Sequence, residues 1–358
     1  MLPAVPYIDW IAGKPAAATH DLGSSDLRPT TAETGVAPER LVDRPDPPAG
    51  TSLAEQVAEL YGVSPECVLV TAGATHANFL AAAAALNGDD DHVLVEKPGY
   101  QPLVATPAAL GATVDRFLRP PDADHAVDPD RVEGAVVDRT ALVTVTNRHN
   151  PSGRRSSLES LEAAASAAAA VDAPLLVDEV YAPFGAESLD GPFGGRSAAA
   201  LSNTVVTGSL TKFLGFGGVR VGWLVGPPSF VDDARGAMTH VPAVSEPSVA
   251  LAARAVDGRE GLCADARERL RRNHRLLAEF ASGREDLSGR VHDGCSYAFL
   301  SHESADGDAV VEAAWDAGIL VVPGRFFDTA DAFRVSVGQS ADETAAALDA
   351  FGVVLDEL

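Results

Sequence analysis

The feature that most constrains the fold is a rhythm between residues 67 and 225. Seven short apolar, β-rich runs recur there: Cys67 to Thr71, His92 to Val95, Ala112 to Phe117, Ala141 to Thr146, Pro174 to Val177, Thr204 to Thr207 and Val219 to Val225. Helical stretches lie between several of them. Ala77 to Leu86 is one. Ser156 to Val171 is another, opened by Ser156 with Glu159 three residues on, the spacing of a capping box. Strands alternating with helices predict an α/β fold: a mainly parallel, seven-stranded sheet with helices on both faces.

The flanks have a different texture. Residues 1–50 are rich in Pro, Gly, Ala and Asp and read as an irregular arm with short elements near Tyr7 to Ile11 and His20 to Leu22. A helix is expected from Ser52 to Tyr61, with Leu53, Val57, Leu60 and Tyr61 on one face and Ser52 with Glu55 as a capping box. After Gly226-Pro227-Pro228, Val249 to Val256 and Leu262 to Ala281 look helical. Tyr297 to Ser301, Ile319 to Val322 and Phe333 to Val337 look like strands, and Ser340 with Glu343 opens a closing helix. The predicted division is a large domain over 45–235 and a smaller α+β domain built from 1–44 and 236–358.

Composition removes several classes of function. The net charge is −24 and the pI about 4.6, so phosphate backbones and anionic lipid are repelled and neither nucleic acid nor membrane is an expected partner. Scarce lysine with abundant Asp suits a halophile-like protein whose self-repulsion is screened by salt. Cys67, Cys263 and Cys295 have neither disulfide nor metal-site spacing, which points to a reducing cytoplasm and no metal. No signal peptide is evident, and the alanine-rich runs are too short to span a bilayer.

In open α/β sheets ligands bind beyond the carboxyl ends of the strands, so the residues that follow each run carry the functional signal. Gly73-Ala74-Thr75 opens a helix whose unpaired N–H groups suit a phosphate. Pro98-Gly99 leaves Tyr100 at the sheet edge, able to lie on an aromatic ligand. Asn150, before Pro151, can donate to a phenolate-like oxygen. Asp178 ends a buried strand and needs a partner, for which a protonated pyridine nitrogen is suitable, and Tyr181 can reach the same ligand. Only three lysines occur, Lys14, Lys97 and Lys212. Lys212 sits in a Gly/Ser/Thr-rich loop, Ser209 to Trp223, with Ser209 before it and Arg220 after it. Of the two basic side chains only lysine can become a neutral amine and condense with a carbonyl. Each feature has an ordinary structural reading by itself, such as a tight turn, a surface tyrosine or a helix cap. Together they supply what pyridoxal 5'-phosphate requires, each from a different strand of one sheet.

The chain resembles the class I/II aminotransferases of the fold-type I pyridoxal-phosphate enzymes. Gly73-Ala74-Thr75, Pro98-Gly99-Tyr100, Asn147 to Gly153, Asp178 to Tyr181, Ser209 to Gly222 and Phe333 to Val337 match in family order. The resemblance implies that Lys212 forms the aldimine and moves the proton, while Asp178 keeps the pyridine nitrogen protonated. Tyr181 and Asn150 would bond the phenolic oxygen, and Tyr100 would stack on the ring. Gly73, Ala74, Thr75, Ser209 and Arg220 would surround the phosphate. Arg334 would take the substrate's α-carboxylate, with Ser25 on the N-terminal arm facing it. The implied reaction moves an amino group between an amino acid and a 2-keto acid, in a homodimer. The lysine's pKa is expected to fall through burial and Arg220. There are two departures. Arg148 stands where the family often has a proline, and residues 43–48 lack the tyrosine that many relatives extend to the partner subunit's phosphate. A decarboxylase or β-lyase on the same scaffold is the alternative, and a non-catalytic sensor is disfavoured by the acidic balance and by intact Lys212 and Asp178.

Overall fold

The computed structural model describes residues 4–28, 35, 37–185 and 191–358. Its centre is a seven-stranded sheet of β1 (Val68–Thr71), β2 (His92–Lys97), β3 (Thr113–Leu118), β4 (Thr140–Thr146), β5 (Leu175–Asp178), β6 (Thr204–Ser209) and β7 (Gly222–Val225), in the order β1-β7-β6-β5-β4-β2-β3. β7 runs antiparallel to both its neighbours and the other pairings are parallel. The inner strands are buried along nearly their whole length, which is why they read as unbroken apolar runs. β3 lies at the edge and alternates between exposed and covered residues, with Leu118 about half exposed.

The helices that place the site are α1 (Pro6–Ile11), α2 (Leu53–Tyr61), α3 (Ala74–Ala85), α4 (Gln101–Ala109), α5 (Leu158–Ala169), α6 (Pro228–Met238), α7 (Glu246–Asp257), α8 (Arg259–Ser282), α9 (Gly307–Asp316) and α10 (Ala341–Leu355). The period of two along each strand sends alternate residues to opposite faces, and the core divides accordingly. Val143, Val177, Val206 and Val225 pack with α2, α5 and α7 on one side. Leu142, Leu176, Val205 and Leu224 pack with α3 and α6 on the other. Helices therefore cover both faces, as the alternation predicts.

A four-stranded antiparallel sheet lies in the C-terminal part: β8 (Leu287–Arg290), β9 (Tyr297–His302), β10 (Val322–Pro323) and β11 (Ala332–Ser336), in the order β10-β11-β9-β8. Its core joins Leu300, Phe333 and Val335 to Leu277 of α8, Val310 of α9 and Phe351 of α10. The N-terminal arm reaches this part, because His20–Asp21 pairs in parallel with Ile319–Leu320.

Three local expectations are corrected. Ser157, not Ser156, caps α5, accepting from the Ser160 N–H. Ser156 is turned inward, where its N–H donates to Asn147 and its hydroxyl accepts from Arg119. The run Ile319 to Val322 is not one strand but two short pieces that pair with different partners. The last strand of the large sheet begins at Gly222, since Val219 lies in a 3-10 turn and Arg220 takes a left-handed conformation at φ 55°. The caps at Ser52 and Ser340 form as expected, both as reciprocal capping boxes.

Candidate active site

The carboxyl ends of β1, β4, β5 and β6 open on one cavity of about 220 Å³. Ala74, Thr75, Tyr100, Asn150, Asp178, Tyr181, Ser209, Lys212, Arg220, Arg334 and Ser25 all line it. Gly73 stands at its margin, directly before α3, with φ 83°. A Cβ built at that glycine would sit 3.4 Å from the Arg220 guanidinium, so the position brings backbone and cation together. Arg220 also donates to the Ala72 carbonyl at 3.3 Å, and Ser209 Oγ accepts from the Thr211 N–H at 3.3 Å. At this end of the cavity the first N–H groups of α3, two hydroxyls and a guanidinium converge, a donor set suited to a phosphate.

Asp178 lies at the cavity's depth. Its carboxylate accepts from Asn78 Nδ2 at 2.8 Å and from the Val180 N–H at 3.2 Å. Burial pushes its pKa up, while Asn78, Val180 and the Lys212 charge pull it back. Asn78 is itself fixed, because its Oδ1 accepts from Thr207 Oγ1 at 2.7 Å. The composition of α3 carries the signal for this residue. A polar side chain one turn after Thr75, in a helix otherwise mostly of Ala, Leu and Phe, faces the sheet.

Lys212 extends into the same space. Its Nζ donates to Ser25 Oγ at 3.2 Å and lies 5.9 Å from the centre of the Tyr181 ring. Burial lowers its pKa, but Tyr181, Asp26 and Tyr7 together outweigh that, and the net shift is upward. The expected fall is thus not found, and Arg220 is not among the largest influences on it. Ser25 is buried within this cluster and its hydroxyl lies 2.7 Å from Tyr181 Oη. Its bonds go to Tyr181 and Lys212 rather than towards Arg334, where sequence reasoning set it.

Arg334 is 1% exposed. Its Nη1 donates to Asn150 Oδ1 at 2.7 Å and its Nη2 to the Gly23 carbonyl at 3.0 Å. Its buried Nε has no hydrogen-bond partner among the described residues. A guanidinium held on two sides with a donor still unmet is suited to a carboxylate. Asn150 gives its oxygen to Arg334, so its Nδ2 remains as the donating end. Arg148 and Arg325 do not line the cavity. Arg148 donates to the carbonyls of Phe184 and Gly153, and Arg325 pairs with Asp308.

Tyr7 and Thr146 line the cavity without having been anticipated. The Tyr7 ring meets Tyr100 edge-on at 5.9 Å and packs on Phe326 and Phe327. The chain has only five tyrosines, and three of them line this one cavity, a scarcity that could have pointed to Tyr7. Thr146 is held from behind: its N–H and Oγ1 both donate to Glu96, which forms a fully buried ion pair with Arg119.

Comparison with known proteins gives the family. The family model for aminotransferase class I and II matches residues 39–351. Capreomycidine synthase of Streptomyces vinaceus is 30% identical over 93% of this chain and 89% of its own length. The aspartate/prephenate aminotransferase of Thermus thermophilus is 29% identical over 86% and 82%. Among solved structures, the pyridoxal-phosphate-dependent cyclase OrfR superposes with a TM-score of 0.82 at 26% identity, covering 99% of this chain and 97% of that one. A seven-stranded α/β sheet with a lysine, a carboxylate and an anion cradle at its strand ends defines a fold-type I pyridoxal-phosphate enzyme. The chain belongs to the class I and II aminotransferases, transferases that use pyridoxal 5'-phosphate. No helix among the described residues is long and apolar enough to cross a membrane, and no metal-binding cluster of His, Cys, Asp or Glu is found among them.

Proposed function

We propose that this cavity is where an amino acid and a 2-keto acid exchange an amino group, with Lys212, Asp178 and Tyr181 as the catalytic residues. One observation carries the reading: Lys212, Asp178 and Arg334 share a single cavity, although they come from sequence positions as far apart as 178 and 334. The residues present fit the cofactor. Asp178 is a buried carboxylate that lacks a cation of its own beyond Lys212, and the opposite end offers the donors an anion needs. Bound pyridoxal phosphate would supply an aldehyde and an electron-accepting pyridinium ring. Lys212 Nζ would hold the aldehyde and, once released, move the proton at the substrate's α-carbon. Asp178 would keep the ring nitrogen protonated. Asn150 Nδ2 and the Tyr181 phenol would donate to the ring oxygen, and Tyr100 would cover the ring. Gly73, Ala74, Thr75, Ser209 and Arg220 would cradle the phosphate. Arg334 would take the α-carboxylate through its unmet Nε.

A homodimer is part of the reading. Arg220 and Thr75 remain exposed at the phosphate end, and residues 239–251 form a largely exposed strip. We assign residues 45–235 to the large domain and 1–44 with 236–358 to the small one, in keeping with the pairing of His20–Asp21 with Ile319–Leu320. The acidic surface and three free cysteines support a cytoplasmic, salt-tolerant protein. A second reading keeps the cofactor but changes the bond broken: decarboxylation or β-elimination on the same scaffold, or ring closure of the substrate, the last favoured by the names of two relatives, a synthase and a cyclase.

The test is a visible spectrum of the purified protein with added pyridoxal phosphate, then with single amino acids. The expected result is a visible band that Lys212→Ala abolishes. A keto acid should form without release of carbon dioxide or ammonia. Protein that stays colourless with the cofactor overturns the site assignment, and release of ammonia or carbon dioxide, or a cyclic product without keto acid, selects the second reading.

A further inference from the structure

Ser25 sits at the centre of the cluster on a strap of chain that is held in place from both sides. The Leu27 N–H donates to the Lys212 carbonyl at 2.8 Å, and the Arg28 N–H donates to the Gly338 carbonyl at 2.7 Å. Upstream, the Ser336 N–H donates to the Leu22 carbonyl at 2.7 Å. In the lysine loop Gly215 has φ 73°, and a Cβ there would run into the Leu27 carbonyl. The strap and the loop therefore meet backbone to backbone. This places a buried serine hydroxyl between two functional groups, 3.2 Å from Lys212 Nζ and 2.7 Å from Tyr181 Oη.

We propose that Ser25 is a positioning residue for the transfer chemistry, linking the Lys212 amine to the Tyr181 phenol and giving its own proton to Tyr181 Oη. The argument rests on the reading of the cavity as the cofactor site. An ammonium has donors only, so Ser25 Oγ accepts from Lys212. A hydroxyl that accepts from a cation becomes a better donor, and its remaining partner is Tyr181 Oη. With Nζ joined to the cofactor that cation is gone, and Ser25 still donates to Tyr181 Oη because the phenol proton is drawn to the anionic ring oxygen. Tyr181 then accepts from Ser25, and its phenol proton is left for the ring oxygen of the cofactor. The same bond holds Lys212 Nζ in place whenever the amine is unlinked, as it is when it must take up a proton.

Removing the Ser25 hydroxyl should weaken the donation by Tyr181. The ring oxygen would then be less stabilised as an anion, and the coloured species would hold its proton to higher pH. The other groups acting on Lys212 and Tyr181 are Asp26 on the strap, Tyr7 on α1, Tyr100 before α4, Asp178 on β5, Arg334 on β11, and Tyr297 on β9 against the Tyr181 ring. None of them changes in the variant, so a shift reports on Ser25.

The experiment is a pH titration of the visible band in holoenzyme reconstituted with pyridoxal phosphate, for wild type, Ser25→Ala and Ser25→Thr. One neutral hydrogen bond corresponds to an upward shift of about 0.4 to 1 pH unit in the Ala variant. Thr keeps the hydroxyl and should return the midpoint to the wild-type value. Ser25→Cys, near in shape but a poor donor, should shift like Ala and serves if Ala does not fold. Equal midpoints in all variants overturn the proposal. Wild-type protein that gains no visible band overturns the cofactor reading instead, so the two failures are distinct.

Discussion

Asn78→Ala tests whether the buried carboxylate at the sheet's end serves the cofactor. Asp178 keeps its charge against burial with help from Asn78, whose amide lies 2.8 Å from the carboxylate. A hydrogen bond to a charged group contributes about 1.5–3 kcal/mol. At 1.36 kcal/mol per pKa unit, its loss raises the Asp178 pKa by about 1–2 further units. If Asp178 balances a protonated ring nitrogen, the same energy is withdrawn from cofactor binding. Affinity for pyridoxal phosphate should then fall about 10–100-fold. The sign with pH follows from the direction of the shift. A raised carboxylate pKa means that Asp178 takes up its proton earlier as pH falls, so the deficit should grow on the acid side and shrink at higher pH. The assay is a spectroscopic titration with cofactor across pH, with unfolding in denaturant as the control for stability. Thr207→Ala, which frees Asn78 without deleting it, should give a smaller effect of the same sign. An Asn78→Ala protein that binds pyridoxal phosphate as tightly as wild type, with the same pH dependence, would refute the argument.

Two further outcomes follow from the same geometry. Arg119→Met strands Glu96 as a fully buried charge and should cost about 3–5 kcal/mol in denaturant unfolding, part of which Glu96→Gln in the same chain should restore, since Gln still accepts from Thr146. Gly73→Ala strains a backbone at φ 83° and presses a methyl towards Arg220, so titration should show weakened pyridoxal phosphate while pyridoxal, which lacks the phosphate, loses much less.

The strand ends were legible because both their signals are local. Burial on two faces makes the inner strands apolar throughout, and the residue after each strand must be one that a ligand or a turn can use. Lys212 and Asp178 could be read in this way. Asn78 and Thr146 could not be named so easily, because each acts through a partner distant in sequence: Asn78 on Asp178 and Thr146 on Glu96. The break at Val321 follows from pairing, since Ile319–Leu320 meets the N-terminal arm and Val322–Pro323 meets β11, a choice that no local pattern encodes. The cap of α5 slipped by one residue because Ser156 and Ser157 are equal as caps, and only the buried Arg119 decides which turns inward. The lysine's pKa rises because two phenols and Asp26 come from α1, the strap and the segment after β5, an encounter fixed by the fold and not by the lysine's neighbours in sequence.

The groups proposed to contact substrate are joined through the protein by one continuous set of bonds. The Arg119–Glu96 pair holds Thr146, and Thr146 Oγ1 accepts from the Asn150 N–H at 3.0 Å. Asn150 Oδ1 accepts from Arg334, and Arg334 reaches the Gly23 carbonyl. Two residues along the strap, Ser25 holds Lys212 and Tyr181. Arg334, the proposed anchor for the α-carboxylate, and Lys212, the proposed proton carrier, are thus tied to the same few residues of chain. Their separation is fixed before any substrate arrives, and that spares the entropy of bringing them into register. A change anywhere along this path, even at Arg119 outside the cavity, should therefore act on the rate of proton movement as well as on binding.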